Sequence, residues 1–205
     1  MIPARIFWLP LIILLAPANP LSAQTCFRGK PLPTCARFWI VESGVGARLN
    51  NRPDGFGGSS SDVLASVEFG MMRNRSPRTA LGGTVFIGVG DQITGNTGTL
   101  LGLKPRGRRW IGRALSVDLS PGAFYVLSGD ANANTFGLTG HLGLNLGDLA
   151  ALSAQVLVGK SPAQAGSTEV GFYLGGKLGS YAGVASGVAV PLTMLVLLLS
   201  GFFRD

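Results

Sequence analysis

The feature that most constrains this chain is an alternation of apolar and polar residues that begins at Arg37 and continues through most of the sequence. In ASVEFGM, valine and phenylalanine occupy one parity, whereas serine, glutamate and glycine occupy the other. The runs ALSVDLS, TFGLTGHLGLN and EVGFYLGGKLG repeat the pattern, separated by breaks rich in Gly, Asn, Ser or Pro. A period of two places successive side chains on opposite faces of a β-strand. The pattern therefore predicts an all-β fold.

Two weaker runs complete the count of strands. TGTLLGLK is short, and LAALSAQVLVG is rich in alanine and also compatible with a helix. With both included the chain has eight strands, and an even number of strands returns the end of an up-and-down barrel to the side where it began.

The two faces of the predicted strands differ in size and polarity. The face opposite the apolar one carries mainly glycine, serine and threonine, which suits the narrow interior of an eight-stranded barrel. A soluble barrel would instead fill its interior with bulky apolar residues. Exposing Glu42, Asp118 or Lys177 to lipid would cost up to roughly 2 to 4 kcal/mol for a basic residue and less for an acid. We therefore expect the apolar face to contact lipid.

Composition agrees with a membrane protein. The chain has 31 glycines, only 13% charged residues and a mean hydropathy of +0.37. Its net charge of +7 would suit nucleic acid, anionic lipid or another acidic surface, so charge alone selects no partner.

Residues 1–23 have the pattern of a signal peptide. Arg5 precedes an apolar stretch from Ile6 to Ala16, and the small residues Ser22 and Ala23 predict cleavage before Gln24. The alternative is an uncleaved anchor, but the apolar stretch is shorter than the roughly 20 residues that a spanning helix needs.

Export would place Cys26 and Cys35 in an oxidising compartment, where residues 24–36 would form a disulfide-closed periplasmic segment. The only histidine, His141, is far away in sequence, and we expect neither a metal site nor a cofactor.

The breaks between strands predict a topology. From a periplasmic N-terminus, the breaks near residues 50–61, 91–98, 128–134 and 161–167 lie outside, and those near residues 73–79, 105–110 and 146–148 lie in the periplasm. A basic periplasmic rim beside anionic headgroups then comprises Arg73, Arg75, Arg78, Arg106, Arg108, Arg109 and Arg113. Trp39 and Trp110 would join the periplasmic aromatic girdle.

Six ionisable residues share the inward parity: Glu42, Glu68, Lys104, Asp118, His141 and Lys177. Their mixed signs permit two interpretations. They form a buried ion-pair network that plugs the lumen, or they line a gated, porin-like conduit for protons or small ions.

The pattern resembles the small eight-stranded outer-membrane β-barrels of bacteria, the OmpA-like and OmpX-like group. The resemblance is carried by LSA at the end of the signal, by the pairs ASVEFGMM with ALGGTVFIGVG and FGLTGHLGLN with LSAQVLVGK, and by GFYLGGKLG. It implies an antiparallel up-and-down transmembrane barrel over residues 37–180, in the bacterial outer membrane. One departure is that such barrels usually end on their last strand with a terminal aromatic residue, whereas this chain continues to Asp205.

The apolar segment 181–205 does not alternate. Pro191 suits the first turn of a helix, and Gly183 and Gly187 form a G-x-x-x-G pair. We expect a short C-terminal helix. If the helix began at Tyr181 it would reach a bilayer thickness, so the alternative is a periplasmic β-protein held in the inner membrane by this helix.

Two other function classes are disfavoured. Barrel enzymes that deacylate lipid A carry a serine two residues after the histidine, facing lipid, whereas Leu142 and Gly143 follow an inward His141. The basic stretch KPRGRRWIGR resembles a nucleic-acid contact, but export argues against that partner. The sequence therefore predicts a non-enzymatic barrel with a structural, interaction or narrow-pore role. Membrane lipid is its expected partner, with a small ion or an external ligand at the outer loops; the oligomeric state is not specified.

Overall fold

The computed structural model describes residues 24–50, 63–91, 97–127, 135–160 and 168–187. The predicted signal peptide and residues 188–205, where most of the apolar C-terminal segment falls, lie outside the described residues.

The described residues form nine strands in one antiparallel sheet, apart from one short parallel pairing. The strands are β1 (Thr25–Cys26), β2 (Arg37–Arg48), β3 (Val63–Ser76), β4 (Thr79–Asp91), β5 (Thr97–Trp110), β6 (Leu115–Leu127), β7 (Thr135–Leu146), β8 (Ala150–Lys160) and β9 (Thr168–Gly179). Each strand pairs with the next, and β2 also pairs with β9. Strands β2 to β9 therefore close into the eight-stranded antiparallel barrel that the sequence predicts. Both weak runs are strands, and the alanine-rich run is β8 rather than a helix.

The narrow lumen explains why the inward face is rich in glycine. Gly102 and Gly137 face inward beside the rings of Phe86 and Phe124, and a Cβ atom at either glycine would overlap the neighbouring ring. Large and small inward residues must alternate because eight strands enclose little space.

The connections differ between the two ends of the barrel. Residues 77–78, 111–114 and 147–149 join strands at one end, which we call the short-turn end. Gly147 and Asp148 both have φ of 58°, as in the type I′ turns that suit tight hairpins. The connections that contain the undescribed internal residues join strand ends at the opposite end.

A turn predicted near residues 105–110 is wrong, because β5 continues to Trp110. The ladder between β5 and β6 is interrupted where Pro105 lies opposite Pro121, and it resumes in unchanged register. Proline lacks the N–H that a ladder requires, and placing both prolines in the same interval lets the two strands continue.

The segment before β2 is folded against the short-turn end. Cys26 and Cys35 form the predicted disulfide, with their Cα atoms 5.9 Å apart. Strand β1 pairs in parallel with β2. We call residues 26–35 the cap.

Residues 180–187 form the short C-terminal helix, α1, directly after β9. The helix packs on the outer face of β2, where Ser186 and Ser43 share a hydrogen bond between their hydroxyls. Tyr181 packs on Phe27 of the cap with ring centroids 4.6 Å apart. Within the described helical residues, no segment is long and apolar enough to cross a membrane.

Candidate functional site

The outer surface of the barrel is apolar on every strand. Exposed outward residues include Val45, Phe69, Ile87, Leu103, Leu119, Leu138, Leu152 and Phe172. Small outward residues at Gly140 and Ala154 leave a shallow apolar recess of about 360 Å³ on this surface. The predicted outward orientation of the apolar parity is confirmed. A continuous apolar surface around a closed sheet is unfavourable in water and is satisfied by the hydrocarbon of a bilayer.

The lumen is filled in three layers. The layer farthest from the short-turn end is an apolar cluster, which we call the outer apolar layer, and it comprises Leu64, Phe86, Leu100, Phe124, Val126, Leu157 and Tyr173. Each of these side chains is at most 5% exposed. Side chains this deeply buried pack closely against one another.

The middle layer is a network of buried charges, which we call the lumen network. It comprises Glu42, Glu68, Asp118 and Asp148 with Lys104, Arg106, Arg108 and Lys177. The four acids and four bases balance among the described residues of this layer. Because every buried charge has a partner of opposite sign, the network avoids the large cost of an unpaired ion in a dry interior.

Arg106 connects three acids. Its Nη2 and Nη1 atoms donate to the two oxygens of Glu42 at 2.7 and 2.9 Å, and its Nε donates to Oδ2 of Asp118 at 2.7 Å. Its Nη1 is also 3.5 Å from Oε2 of Glu68. The planar guanidinium can serve several carboxylates at once because its donors point in fixed directions.

Glu68 is held by two lysines. Lys104 Nζ donates to Oε1 of Glu68 at 2.6 Å, and Lys177 Nζ also donates to Oε1. Lys177 is 3.7 Å from Glu42, so it links the two acids across the closure between β2 and β9. Lys104 also lies over the ring of Phe86, which joins the lumen network to the outer apolar layer.

The third layer lies next to the short-turn end and combines an apolar cluster with the cap. Phe38, Ile40, Met72, Ala80 and Trp110 form the cluster. Arg108 lies over the rings of Phe38 and Trp110 and reaches Asp118 at 2.6 Å and Asp148 at 2.7 Å. This layer therefore contacts the lumen network directly.

Hydrogen bonds between the barrel and the cap hold the cap in place. Asn74 Nδ2 donates to the carbonyls of Lys30 and Cys35, both at 2.7 Å, and Asn74 Oδ1 accepts from Trp110 Nε1 at 3.0 Å. The Gly29 N–H donates to Oδ2 of Asp148 at 2.8 Å, and Arg28 donates to the Gly147 carbonyl. The cap thus covers the short-turn end of the lumen.

The structure brings together five of the six residues for which the sequence predicts a lumen network. His141 also faces inward, but its Nε2 lies 3.0 Å from Ser153 Oγ instead of in an ion pair. Ser153 borders a cavity of about 10 Å³, close to the space one water occupies. Among the described residues, no group of three or more His, Cys, Asp or Glu side chains is arranged to hold a metal ion.

The prediction that Arg106 and Arg108 belong to the basic rim is wrong. Arg106 and Arg108 are only 2% and 3% exposed and lie in the lumen, because β5 continues past Pro105 and keeps every second residue inward. Trp110 is buried for the same reason and does not belong to an outer girdle. Arg73, Arg75, Arg78, Arg109 and Arg113 do lie at or near the short-turn end, four of them exposed and Arg73 half-buried.

Sequence reasoning missed Arg106, Arg108 and Asp148 as members of the lumen network. The two arginines share the parity of Lys104, which was the available signal, but Pro105 suggested a turn. Asp148 follows β7 in a tight turn, and no periodic pattern marks a turn residue as inward.

A scan against protein-family models and a search of curated proteins gave no match. Among solved structures, the chain is similar to the backbone structure of the Yersinia pestis outer membrane protein Ail in a phospholipid bilayer nanodisc. The two are 11% identical, the match covers 68% of this chain and 98% of that chain, and the TM-score is 0.41. The pairing of β2 with β9, rather than this likeness, defines the barrel described above.

Proposed function

We propose that this chain is a closed, non-conducting barrel of the bacterial outer membrane with a structural or interaction role. In this proposal residues 1–23 are a signal peptide, the short-turn end faces the periplasm, and the opposite end presents the longer connections outside. The apolar outer surface supports the membrane location.

The single observation that supports a closed, non-conducting barrel is the filled lumen. The outer apolar layer, the lumen network and the cap follow one another along the barrel axis. A narrow pore would need a continuous polar path, and the outer apolar layer interrupts it. We therefore favour a lumen plugged by a buried ion-pair network over a gated conduit for protons or small ions.

Conductance tests the closed state. Purified protein in planar bilayers should give no unitary current steps, while a general porin added to the same membrane confirms that the assay detects channels. The double variant Glu42→Gln, Lys177→Met should also be silent, because both apolar layers remain. Current steps in the wild type whose size changes in this variant would establish the narrow pore instead.

Fractionation tests the location. The mature protein should appear in the outer-membrane fraction and migrate differently in unboiled and boiled SDS samples, because closed barrels commonly resist SDS until heated. Recovery in the inner membrane without a heat-dependent shift would favour the periplasmic β-protein anchored by its C-terminal segment.

A further inference from the structure

The short-turn end carries outward cations without partners among the described acids. Arg37, Arg73, Arg75, Arg78, Arg109 and Arg113 lie there, half-buried or exposed. The acids of the same half of the barrel all turn inward and are paired within the lumen network. No described carboxylate therefore neutralises these arginines.

Arg37 and Arg73 are the most constrained of these cations. They lie directly opposite each other on β2 and β3, and both belong to the outward parity. Like charges in directly opposed positions repel and destabilise a sheet. An anion bound between the two guanidinium groups would replace this repulsion with two charge-assisted contacts.

The surface beside this pair is suited to lipid. The next outward residues, Trp39 and Met71, are also directly opposite each other and are 38% and 39% exposed. Trp39 stacks on Phe69 with ring centroids 5.4 Å apart and an angle of 22° between the planes. Cations at the level of the lipid headgroups, with aromatic side chains beside them on the outer surface, are the arrangement expected at a membrane interface.

The outward arginines of this end lie on β2, β3 and β5 and in the turns that follow β3 and β5. The large exposed outward residues at the same end of β7 and β8 and in their turn are Leu144, Leu146, Leu149 and Leu152. The outward cations of the strands are therefore unevenly distributed around the barrel, and they lie on the side that holds the Arg37–Arg73 pair.

We propose that Arg37 and Arg73 form a binding site for the phosphate of an anionic phospholipid in the periplasmic leaflet. The guanidinium groups bind the phosphate oxygens, and Trp39 and Met71 contact the glycerol and the first acyl methylenes. The leaflet assignment rests on the proposed function, because it requires the short-turn end to face the periplasm.

Native mass spectrometry of the detergent-solubilised protein tests the site, with phosphatidylglycerol and phosphatidylcholine of identical acyl chains as probes. The wild type should prefer phosphatidylglycerol. The double variant Arg37→Gln, Arg73→Gln should bind it about 10- to 30-fold more weakly, since each arginine near an anionic lipid surface contributes about fivefold. Replacing both arginines by lysine should weaken binding less than replacing them by glutamine, because lysine keeps the charge. Binding should still be weaker than in the wild type, because lysine lacks the planar guanidinium that binds two phosphate oxygens at once.

The matched control is Arg75→Gln, Arg78→Gln, which removes the same charge from exposed positions next to the turn. This variant should change binding by no more than about twofold, because solvent and salt screen exposed charges. A wild type without preference, or a control that loses as much as the Arg37/Arg73 variant, would overturn the site. Displacement of the lipid by an equal concentration of inorganic phosphate would assign the site to free phosphate instead.

The experiments distinguish the absence of the lipid-binding site from a failure of the proposed function. An outer-membrane, heat-modifiable, silent barrel that shows no preference for phosphatidylglycerol lacks this site but remains a closed barrel. A protein that resides in the inner membrane contradicts the proposed function, whatever the lipid titration gives.

Discussion

Glu42 and Glu68 lie directly opposite each other on β2 and β3, with both carboxylates buried inside the barrel. Two acids in this register would repel. They are tolerated because Arg106 reaches both from β5 and Lys177 reaches both from β9. These cations approach only when the sheet is closed, so the acidic pair couples the lumen network to barrel closure.

Replacing Arg106 by methionine should therefore destabilise the barrel strongly. The change leaves Glu42 and Asp118 with fewer partners in a dry interior, and breaking a buried ion pair costs about 3 to 5 kcal/mol. The measurement is equilibrium urea unfolding in phospholipid vesicles. Arg109→Met is the matched control, because Arg109 faces outward on the same strand and is exposed. Equal stability of the two variants would contradict the structural role of the network.

The cost of placing an arginine on the outer surface should depend on its depth. Leu142 is paired with Leu119 and Ala154 near the middle of the barrel wall, whereas Leu146 ends β7 at the short-turn end. Leu142→Arg should cost about 2 to 4 kcal/mol and Leu146→Arg about 0 to 1 kcal/mol. Unfolding titrations in vesicles give both values. Similar small costs at both positions would show that this face does not contact hydrocarbon.

The two tryptophans outside the predicted signal peptide should report different environments. Trp39 is 38% exposed on the outer surface, whereas Trp110 is 4% exposed beneath the cap. Brominated lipids should quench the fluorescence of Trp110→Phe, which keeps Trp39, much more than that of Trp39→Phe, which keeps Trp110. Strong quenching of Trp110 would contradict the inward course of β5 through Pro105.

The cap should resist trypsin while it is docked. Cleavage after Arg28 requires access to a peptide bond whose Gly29 is buried and bonded to Asp148. Asn74→Ala removes both hydrogen bonds to the carbonyls of Lys30 and Cys35, at a cost of about 1 to 3 kcal/mol. This variant should be cut after Arg28 faster than the wild type in detergent.

Asn50→Ala is the control for the cap experiment, because Asn50 bonds Val170 and Phe172 near the opposite end of the barrel. Cleavage at the same rate in wild type, Asn74→Ala and Asn50→Ala would mean that Asn74 does not hold the cap.

The arginines of β5 show where reading the sequence succeeds and where it fails. The alternation placed Lys104 inside the barrel, and Arg106 and Arg108 share its parity. Pro105 nevertheless favoured a turn, because a proline in a central strand usually removes a ladder bond. Strand β5 tolerates Pro105 because Pro121 of β6 lies opposite it, and this pairing is a property of strand register.

The sequence by itself determined the class of fold, the eight strands of the barrel and the face that most strand residues occupy, because alternation with a period of two is a local property of the chain. Only the tertiary structure decided which charges meet. Arg106 binds Glu42 from 64 positions away, and Lys177 binds Glu68 from 109 positions away. Such partners are set by register, by closure of β2 on β9 and by the narrowness of the lumen, none of which local periodicity specifies.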